Sequence, residues 1–207
     1  MKKASPHKGW HSRGYLPHLD APGEVQALTF RLADAMPAKV IAGWKQEVEQ
    51  EADFSKRERA LRRMIARYED AGHGDCLLRK PACAEIVQAA LGHFDGVRYH
   101  LLEWCIMPNH VHAISRCGEG YPLGTIVKSW KIFTAQGINQ NLGRTGTVWS
   151  KDCFDRYIRD NDHLADARAY IRNNPVKAGL CGTSEEWRWS SAFSSHDPDS
   201  SPSPENG

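Results

Sequence analysis

The feature that most constrains this chain is a segment from Tyr99 to Ile114, in which Met107-Pro108-Asn109 separates two runs rich in apolar residues. Proline and asparagine favour turns, so the segment is predicted to form two β-strands joined by a tight turn. His110 and His112 open the second strand. Because alternate residues of a strand point to the same side, both imidazoles are expected on one face of a sheet.

Two neighbouring imidazoles supply half of the ligand set that a divalent metal ion needs. The spacing alone does not decide between such a site and two structural histidines, because His-x-His pairs also occur in strands by chance. A metal centre therefore requires further ligands from elsewhere in the chain.

The composition is that of an ordinary globular protein. Of 207 residues, 41% are hydrophobic and 25% are charged, and the net charge of +2 neither requires nor excludes nucleic acid. The six cysteines lack zinc-finger spacing, and the N-terminus lacks the apolar core of a signal peptide. No apolar run approaches the roughly 20 residues that span a bilayer. These features predict a cytoplasmic protein without a membrane partner.

Changes in composition divide the chain into three parts. Residues 1–23 are rich in His, Lys, Pro and Gly and lack periodicity, so they are predicted to form a flexible arm. Residues 194–207 are rich in Ser, Pro and Asp and are predicted to be disordered. Residues 24–193 are predicted to form the single folded domain.

The folded part shows one further strand pattern and several helix patterns. Residues 25–32 alternate as a strand does. Helices are predicted at 37–51, from Ser55 onward by its capping-box spacing to Glu58, from Pro81, at 123–139 and after an N-cap at Asp160 or Asn161. The last helix is expected to end or bend at Pro175, because proline disfavours the α conformation at the preceding residue.

Basic residues follow two of these predicted helices. Arg59, Arg63 and Arg67 are four residues apart and share one helix face. Such a stripe fits either a solvated surface, since acidic residues lie nearby, or a contact with a phosphate backbone. In the helix at 123–139, Lys128 and Lys131 are predicted to point outward. The inward side is predicted to be Ile126, Val127, Trp130 and Phe133.

Tyr170 and Asn174 are also four residues apart and share a face if their helix is continuous. A tyrosine hydroxyl beside an amide oxygen can provide a nucleophile and a metal ligand. Without further context, a core tyrosine and a capping asparagine are the better interpretation. Only a contact between this helix and the two histidines would favour the chemical role.

Four short motifs occur in order along the chain: Met-Pro-Asn-His-Val-His (107–112), Lys-Ile-Phe-Thr-Ala (131–135), Phe-Asp-Arg-Tyr-Ile-Arg-Asp (154–160) and Tyr-Ile-Arg-Asn-Asn-Pro-Val-Lys-Ala-Gly-Leu (170–180). Each motif is weak alone, but their order is specific. Together they resemble the REP-associated tyrosine transposases, a branch of the single-tyrosine transposases with a histidine–hydrophobe–histidine motif. The resemblance covers residues 25–193.

The resemblance implies a single α+β domain of ferredoxin-like type, with a central antiparallel sheet and helices packed mainly on one side. It implies that His110 and His112 hold Mg²⁺ or Mn²⁺ and that Asn174 is the third ligand, with Asn173 as the alternative. It also implies that Tyr170 is the nucleophile.

A second tyrosine, Tyr157, also lies in one of the motifs and competes for the role of nucleophile. The amide residue four positions later, Asn161, lies at the predicted start of the last helix and not within it, so the two do not share a helix face and Tyr170 is preferred.

The implied activity is that of a transposase: a metal-dependent single-strand DNA endonuclease and strand-transferase that acts on hairpin-forming, REP-type repeat DNA through a 5′-phosphotyrosine. A phenol with a pKa of about 10 attacks poorly near neutral pH, and a metal ion would assist by polarising the scissile phosphodiester. The alternative function is a repeat-DNA-binding protein that does not cleave. Whether the protein is a monomer or a homodimer stays open.

Overall fold

The structure is a computed structural model that describes residues 9–12 and 17–194. Two short strands, β1 (Gly9–Ser12) and β2 (Pro17–Asp20), form an antiparallel hairpin. The main sheet has four antiparallel strands in the spatial order β4-β5-β3-β6. Their bounds are β3 (Val25–Arg31), β4 (Tyr99–Ile106), β5 (His110–Cys117) and β6 (Phe154–Tyr157).

Within the described residues, five α-helices surround this sheet: α1 (Ala38–Glu49), α2 (Phe54–Asp70), α3 (Pro81–Gly92), α4 (Leu123–Asn141) and α5 (Asn161–Lys177). Single turns of 3₁₀ helix lie at Leu77–Arg79 and Ser184–Glu186. Among the residues that the structure describes, no helix combines the length and apolar character needed to cross a membrane.

The central strand β5 is buried on both faces, with Arg116 as its one exposed residue. Val111 and Ala113 point toward α3 and α4, where the largest apolar core lies. His110 and His112 point to the opposite face, which α5 covers. The tight turn before β5 is closed by a hydrogen bond from the Met107 amide to the His110 carbonyl at 2.9 Å.

Aromatic side chains fix α4 against the sheet. The Trp130 indole N–H donates to the Tyr99 hydroxyl at 2.9 Å, and that hydroxyl donates to the Leu91 carbonyl at 2.7 Å. The Phe30 ring lies with its centroid 4.9 Å from that of Trp149, in an edge-on contact. Large buried rings with satisfied polar atoms give this side of the sheet a well-defined, rigid support.

The expected α+β fold with a central antiparallel sheet is confirmed. The helices of the largest core, α3 and α4, lie on one face, and α5 lies on the other. The residues predicted as a flexible N-terminal arm include the β1–β2 hairpin, whose second strand lies against β6. The rest of that arm, residues 1–8 and 13–16, and residues 195–207 of the predicted tail lie outside the described residues.

Two details of the helices differ from expectation. Helix α5 continues through Pro175 to Lys177 instead of ending there. Helix α2 begins at Phe54, where the Asp53 carboxylate accepts the Lys56 amide at 3.2 Å, so Asp53 caps the helix. The side chain of Ser55, the predicted cap, lies outside the described part of the chain.

In α4, Phe133 is 60% exposed, although it was expected to point inward. Thr134, one residue later, takes the buried position. Its hydroxyl accepts the Trp149 indole N–H at 2.8 Å and donates to the Trp130 carbonyl at 2.7 Å. A polar residue is favoured at this core position because the indole needs an acceptor.

Candidate metal site and nucleophile

The two histidines of β5 face each other through their Nε2 atoms, which are 2.9 Å apart. Nitrogen ligands lie about 2.0–2.1 Å from a bound metal ion, so two ligands at a right angle around one ion are separated by about 3 Å. The spacing of the two nitrogens therefore matches one edge of a metal coordination shell.

Outer contacts hold both rings in this orientation. The Asn109 amide nitrogen donates to the His73 carbonyl at 3.0 Å, so its oxygen faces His110 and accepts from Nδ1 at 2.7 Å. His110 therefore carries its proton on Nδ1 and presents a lone pair at Nε2. On the other ring, His112 Nδ1 is 2.8 Å from the Thr29 hydroxyl. Hydrogen bonds of this kind orient metal-ligating histidines.

Burial keeps both imidazoles neutral. Desolvation lowers the pKa of His112 to about 4. The pKa of His110 falls well below its usual range, first because of desolvation and then because of the charges of His112 and Arg31. Metal ligands must be unprotonated, so both rings are in the form that binds a cation near neutral pH.

Asn174 completes one side of the pair. It is fully buried, and its Nδ2 lies 3.0 Å from His112 Nε2. Its Oδ1 is buried without a hydrogen-bond partner among the residues that the structure describes. Rotation of the amide exchanges the two atoms and would place that oxygen beside the histidine nitrogen. Asn173 is exposed, so Asn174 is the amide that the fold brings to the site.

Asp70, the last residue of α2, completes the other side. Its Oδ1 lies 4.0 Å from His110 Nε2 and has no hydrogen-bond partner within the described part of the chain. Asp70, His110 and His112 each offer a ligand atom, and these atoms lie within 4.8 Å of one another. Burial raises the pKa of Asp70, while its hydrogen bond with Asn174 and the charge of Lys177 oppose that effect.

Sequence reasoning missed Asp70 as a candidate ligand. One local signal was present, because Glu69 and Asp70 place two carboxylates at the C-terminus of a helix, where the helix dipole disfavours negative charge. Glu69 is explained by its buried ion pair with Arg31 at 3.4 Å, although burial still raises the pKa of Glu69 to about 7. Asp70 has no such arginine partner at hydrogen-bonding distance within the described residues, which is consistent with a role as a ligand.

This donor set fits a divalent metal ion. It combines two neutral imidazoles with a carboxylate oxygen and an amide oxygen, and both oxygens are buried and unpaired within the described residues. Nitrogen ligands favour Mn²⁺ over Mg²⁺ intrinsically, whereas the two oxygens suit both ions.

Tyr170 lies beside the histidine pair. Its ring centroid is 5.6 Å from that of His112, with the rings at 78°. Burial, followed by the charges of Asp70 and Glu69, raises the pKa of Tyr170, and a hydrogen bond with Asn174 opposes this. The phenol is therefore protonated in the absence of a cation. The Lys177 ammonium group lies 5.1 Å from the centre of the Tyr170 ring.

Helix α5 is held over the sheet by contacts along its length. At its start, the Asp160 carboxylate accepts the His163 amide at 2.7 Å. A β-bulge in β4 between Leu101 and Glu103 accompanies a buried Glu103 carboxylate, which pairs with Arg172 at 2.9 Å. Ile171 packs in the apolar cluster on this face. Because Ile171 and Arg172 directly follow the nucleophile candidate in the helix, these contacts fix the position of Tyr170.

The competing tyrosine lies farther along the sheet. Tyr157 of β6 pairs with Gln26, whereas Thr29, the residue that contacts His112, pairs with Phe154. The carboxylate of Glu24 is the main cause that raises the pKa of Tyr157. The fold thus places Tyr170, His110, His112 and Asn174 together and leaves Tyr157 apart from them.

The predicted DNA-contacting residues occupy different positions. Arg59, Arg63 and Arg67 are exposed along one face of α2, the helix that ends at Asp70. Lys128 is exposed on α4, across the sheet from the histidines.

Lys131 does not extend into solvent as predicted. Its ammonium group donates to the carbonyls of Ser150 and Asp152 at 3.0 and 2.9 Å. These bonds hold the loop that leads into β6.

Comparison with known proteins agrees with the motifs. Residues 78–174 match the family model described as "Transposase IS200 like". The family resemblance predicted from the sequence is confirmed. A Haemophilus influenzae protein, provisionally named a REP-associated tyrosine transposase, is 29% identical over 97 residues, which are 42% of this chain and 55% of that protein. The chain thus spans about half the length of this relative.

Two solved structures are also similar, each at 14% identity. One is a REP-associated tyrosine transposase bound to a REP hairpin, with a TM-score of 0.45 and coverage of 87% of this chain and 80% of that chain. The other is a provisionally named transposase from Deinococcus radiodurans R1, with a TM-score of 0.32 and coverage of 79% and 96%. TM-scores this low support no conclusion about function.

Proposed function

We propose that this protein is a transposase that cleaves and rejoins single-stranded DNA at hairpin-forming repeats of the REP type, using Tyr170 as the nucleophile. The observation that carries the proposal is the contact of α5 with β5. It puts the Tyr170 ring 5.6 Å from His112 and the Asn174 amide 3.0 Å from the same histidine. If Tyr170 were only a core residue and Asn174 only a capping residue, their contact with two buried, facing imidazoles would have no explanation.

In the proposed site, His110, His112, Asn174 and Asp70 hold a divalent ion, Mg²⁺ or Mn²⁺. When bound, the ion would supply positive charge that polarises the scissile phosphodiester and favours the ionised phenol. The Asn109 and Thr29 side chains keep the imidazole nitrogens turned toward it. The ion pair between buried Glu103 and Arg172 keeps Tyr170 in place during attack.

The reaction exchanges one phosphodiester for another. The Tyr170 oxygen loses its proton and forms a bond to phosphorus, while the bond from phosphorus to the 3′ oxygen breaks and that oxygen takes up a proton. The products are a 5′-phosphotyrosine and a free 3′-hydroxyl. Because the number of ester bonds is unchanged, the step is nearly reversible, which suits strand joining as well as cleavage.

DNA would lie along α2 and reach the site at its end. Arg59, Arg63 and Arg67 offer contacts to phosphates, and such contacts dominate affinity without reading sequence. Lys128 remains a candidate contact, although the sheet separates its helix from the histidines. We expect the protein to act in the cytoplasm, where its DNA substrate is accessible, either as a monomer or as a homodimer.

The test is a cleavage assay with labelled single-stranded hairpin DNA and Mn²⁺, resolved on a denaturing gel. A protein–DNA band is expected for the wild type and for Tyr157→Phe, which serves as the matched control, and is expected to vanish in Tyr170→Phe. An adduct that survives Tyr170→Phe but not Tyr157→Phe would contradict the assignment.

The alternative function, repeat-DNA binding without cleavage, predicts hairpin binding with no adduct in any divalent metal ion. The two functions also differ for His110→Ala. In the favoured proposal this change abolishes the adduct but leaves much of the affinity for DNA, since backbone contacts supply most of the binding.

A further inference from the structure

A second feature of the structure lies beside Tyr170 and His112. It is a cavity of about 350 Å³ whose walls include His112, Tyr170, Phe154, Arg156, His163 and Asp166. Its volume falls in the range of about 300–1,000 Å³ that small-ligand sites occupy. Because Tyr170 and His112 form part of the wall, a ligand in this cavity would touch the proposed reaction centre.

His163 provides an unused polar atom in the cavity wall. Its Nδ1 accepts the Arg159 amide at 3.3 Å, so in the neutral ring the proton lies on Nε2. That Nε2 is buried and has no hydrogen-bond partner among the residues that the structure describes. Burial, with the charges of Arg156 and Arg159, lowers the pKa of His163 and keeps the ring neutral. An unpaired buried donor is costly, and a ligand acceptor would satisfy it.

Phe154 provides an aromatic surface, and one arginine lies over its ring. The Arg62 guanidinium lies 5.1 Å from the centre of the Phe154 ring. Burial is the main cause that lowers the pKa of Arg156, and the charges of nearby Arg62 and Arg159 lower it further. A cluster of like charges beside an aromatic ring is typical of surfaces that bind single-stranded nucleic acid, where phosphates meet cations and bases stack on rings.

We propose that this cavity binds the nucleobase next to the phosphate that Tyr170 attacks, and so contributes sequence preference at the cleavage site. A base fits the walls better than a phosphate does, because the Asp166 carboxylate repels an anion but accepts an N–H from a base edge. The His163 N–H donates to a base nitrogen or carbonyl. The inference rests on the proposed function for the identity of the ligand, and it concerns residues that the proposed chemistry does not use.

The test is an NMR titration of the full-length protein with the four deoxynucleoside 5′-monophosphates and, as the matched probe without a base, deoxyribose 5-phosphate. At least one nucleotide is expected to bind about tenfold more tightly than deoxyribose 5-phosphate, a ratio typical of one stacked base. In His163→Ala this preference is expected to fall below about twofold. His100→Ala, an exposed histidine on the opposite edge strand β4, serves as the control and is expected to keep it.

Asp166→Asn is a second test that does not depend on His163→Ala folding correctly. Asp166 is exposed, and its replacement keeps the size of the side chain, so this variant is expected to fold. This variant is expected to change which base is preferred. Equal affinity for deoxyribose 5-phosphate and all four nucleotides would indicate an anion site at the arginines alone and would overturn the proposal. So would a base preference that His163→Ala and Asp166→Asn both leave unchanged.

The two proposals fail in different ways. A base preference that depends on His163, without any covalent adduct, would support base binding in the cavity and refute the cleavage chemistry. An adduct at Tyr170 without a base preference would support the cleavage chemistry and refute base binding in the cavity.

Discussion

Acid is expected to destabilise this protein through His112 in the absence of metal. The side chain is 4% exposed, and burial lowers its pKa from 6.5 to about 4 in the folded protein. Below pH 6.5 the unfolded chain therefore binds a proton that the folded chain does not. The stabilising contribution is fully present above pH 6.5 and is lost as the pH falls toward 4. A pKa difference of about 2.5, at about 1.4 kcal/mol per unit, gives a loss of about 3 kcal/mol.

The measurement is urea denaturation between pH 7 and pH 4 in a chelator. The wild type is expected to lose about 3 kcal/mol more than His112→Gln over this range, because glutamine has no proton to gain. His100→Gln, which changes an exposed histidine, should follow the wild type. If the free energies of unfolding of the wild type and His112→Gln fall in parallel, the histidine is not buried in its neutral form. Without the chelator, Mn²⁺ at about 100 times its dissociation constant should add about 2.7 kcal/mol at pH 7 to the wild type and to His100→Gln, but not to His112→Gln.

Three further variants test the metal ligands, the DNA surface and the contacts of Lys131. Asp70→Ala is expected to weaken Mn²⁺ binding by at least about tenfold in calorimetry, and an unchanged affinity would remove Asp70 from the ligand set. Arg63→Gln is expected to weaken hairpin binding for all sequences alike and to reduce the slope of log affinity against log salt by about one, whereas an unchanged slope would place α2 away from the DNA. Lys131→Met is expected to lower the thermal unfolding midpoint without altering that slope, because its bonds to the Ser150 and Asp152 carbonyls are internal; a reduced slope would instead make Lys131 a DNA contact.

The elements that could be predicted from the sequence are those whose cause is local. The β4–β5 hairpin follows from two apolar runs around a proline-asparagine turn, and the His-x-His spacing alone puts both imidazoles on one face. The start of α5 follows from Asp160, whose carboxylate caps the helix as expected. Tyr170 and Asn174 share a face because the helix between them is regular.

The features that could not be predicted depend on contacts between distant segments. Asp70 reaches the site because of the way α2 packs, which no local pattern specifies. Thr134 displaces Phe133 from the core because Trp149, fifteen residues away, needs an acceptor. Pro175 was expected to end or bend α5, and the helix continues through it to Lys177, with Asn174 and Pro175 both buried. In each case tertiary packing overrides a local preference.

A glycine-rich loop shows the same limit. The segment 71–75 has no phosphate-binding pattern, so the sequence indicates no role for it. In the structure its His73 carbonyl accepts the Asn109 amide, which in turn orients His110. Gly74 has a φ of +87° and lies so close to Asp34 that an added Cβ would be 2.9 Å from its carboxylate. This close approach fixes the loop and, through it, the histidine.

The proposed nucleophile is tested most directly by locating the covalent bond to DNA. The protein is incubated with a hairpin oligonucleotide and Mn²⁺, digested with nuclease and protease, and mapped by mass spectrometry. A nucleotide attached through its 5′ phosphate is expected on the peptide that contains Tyr170, and it should be absent when His110 and His112 are replaced by alanine. A nucleotide on the Tyr157 peptide, or an adduct at Tyr170 that forms equally without the two histidines, would contradict the proposed site.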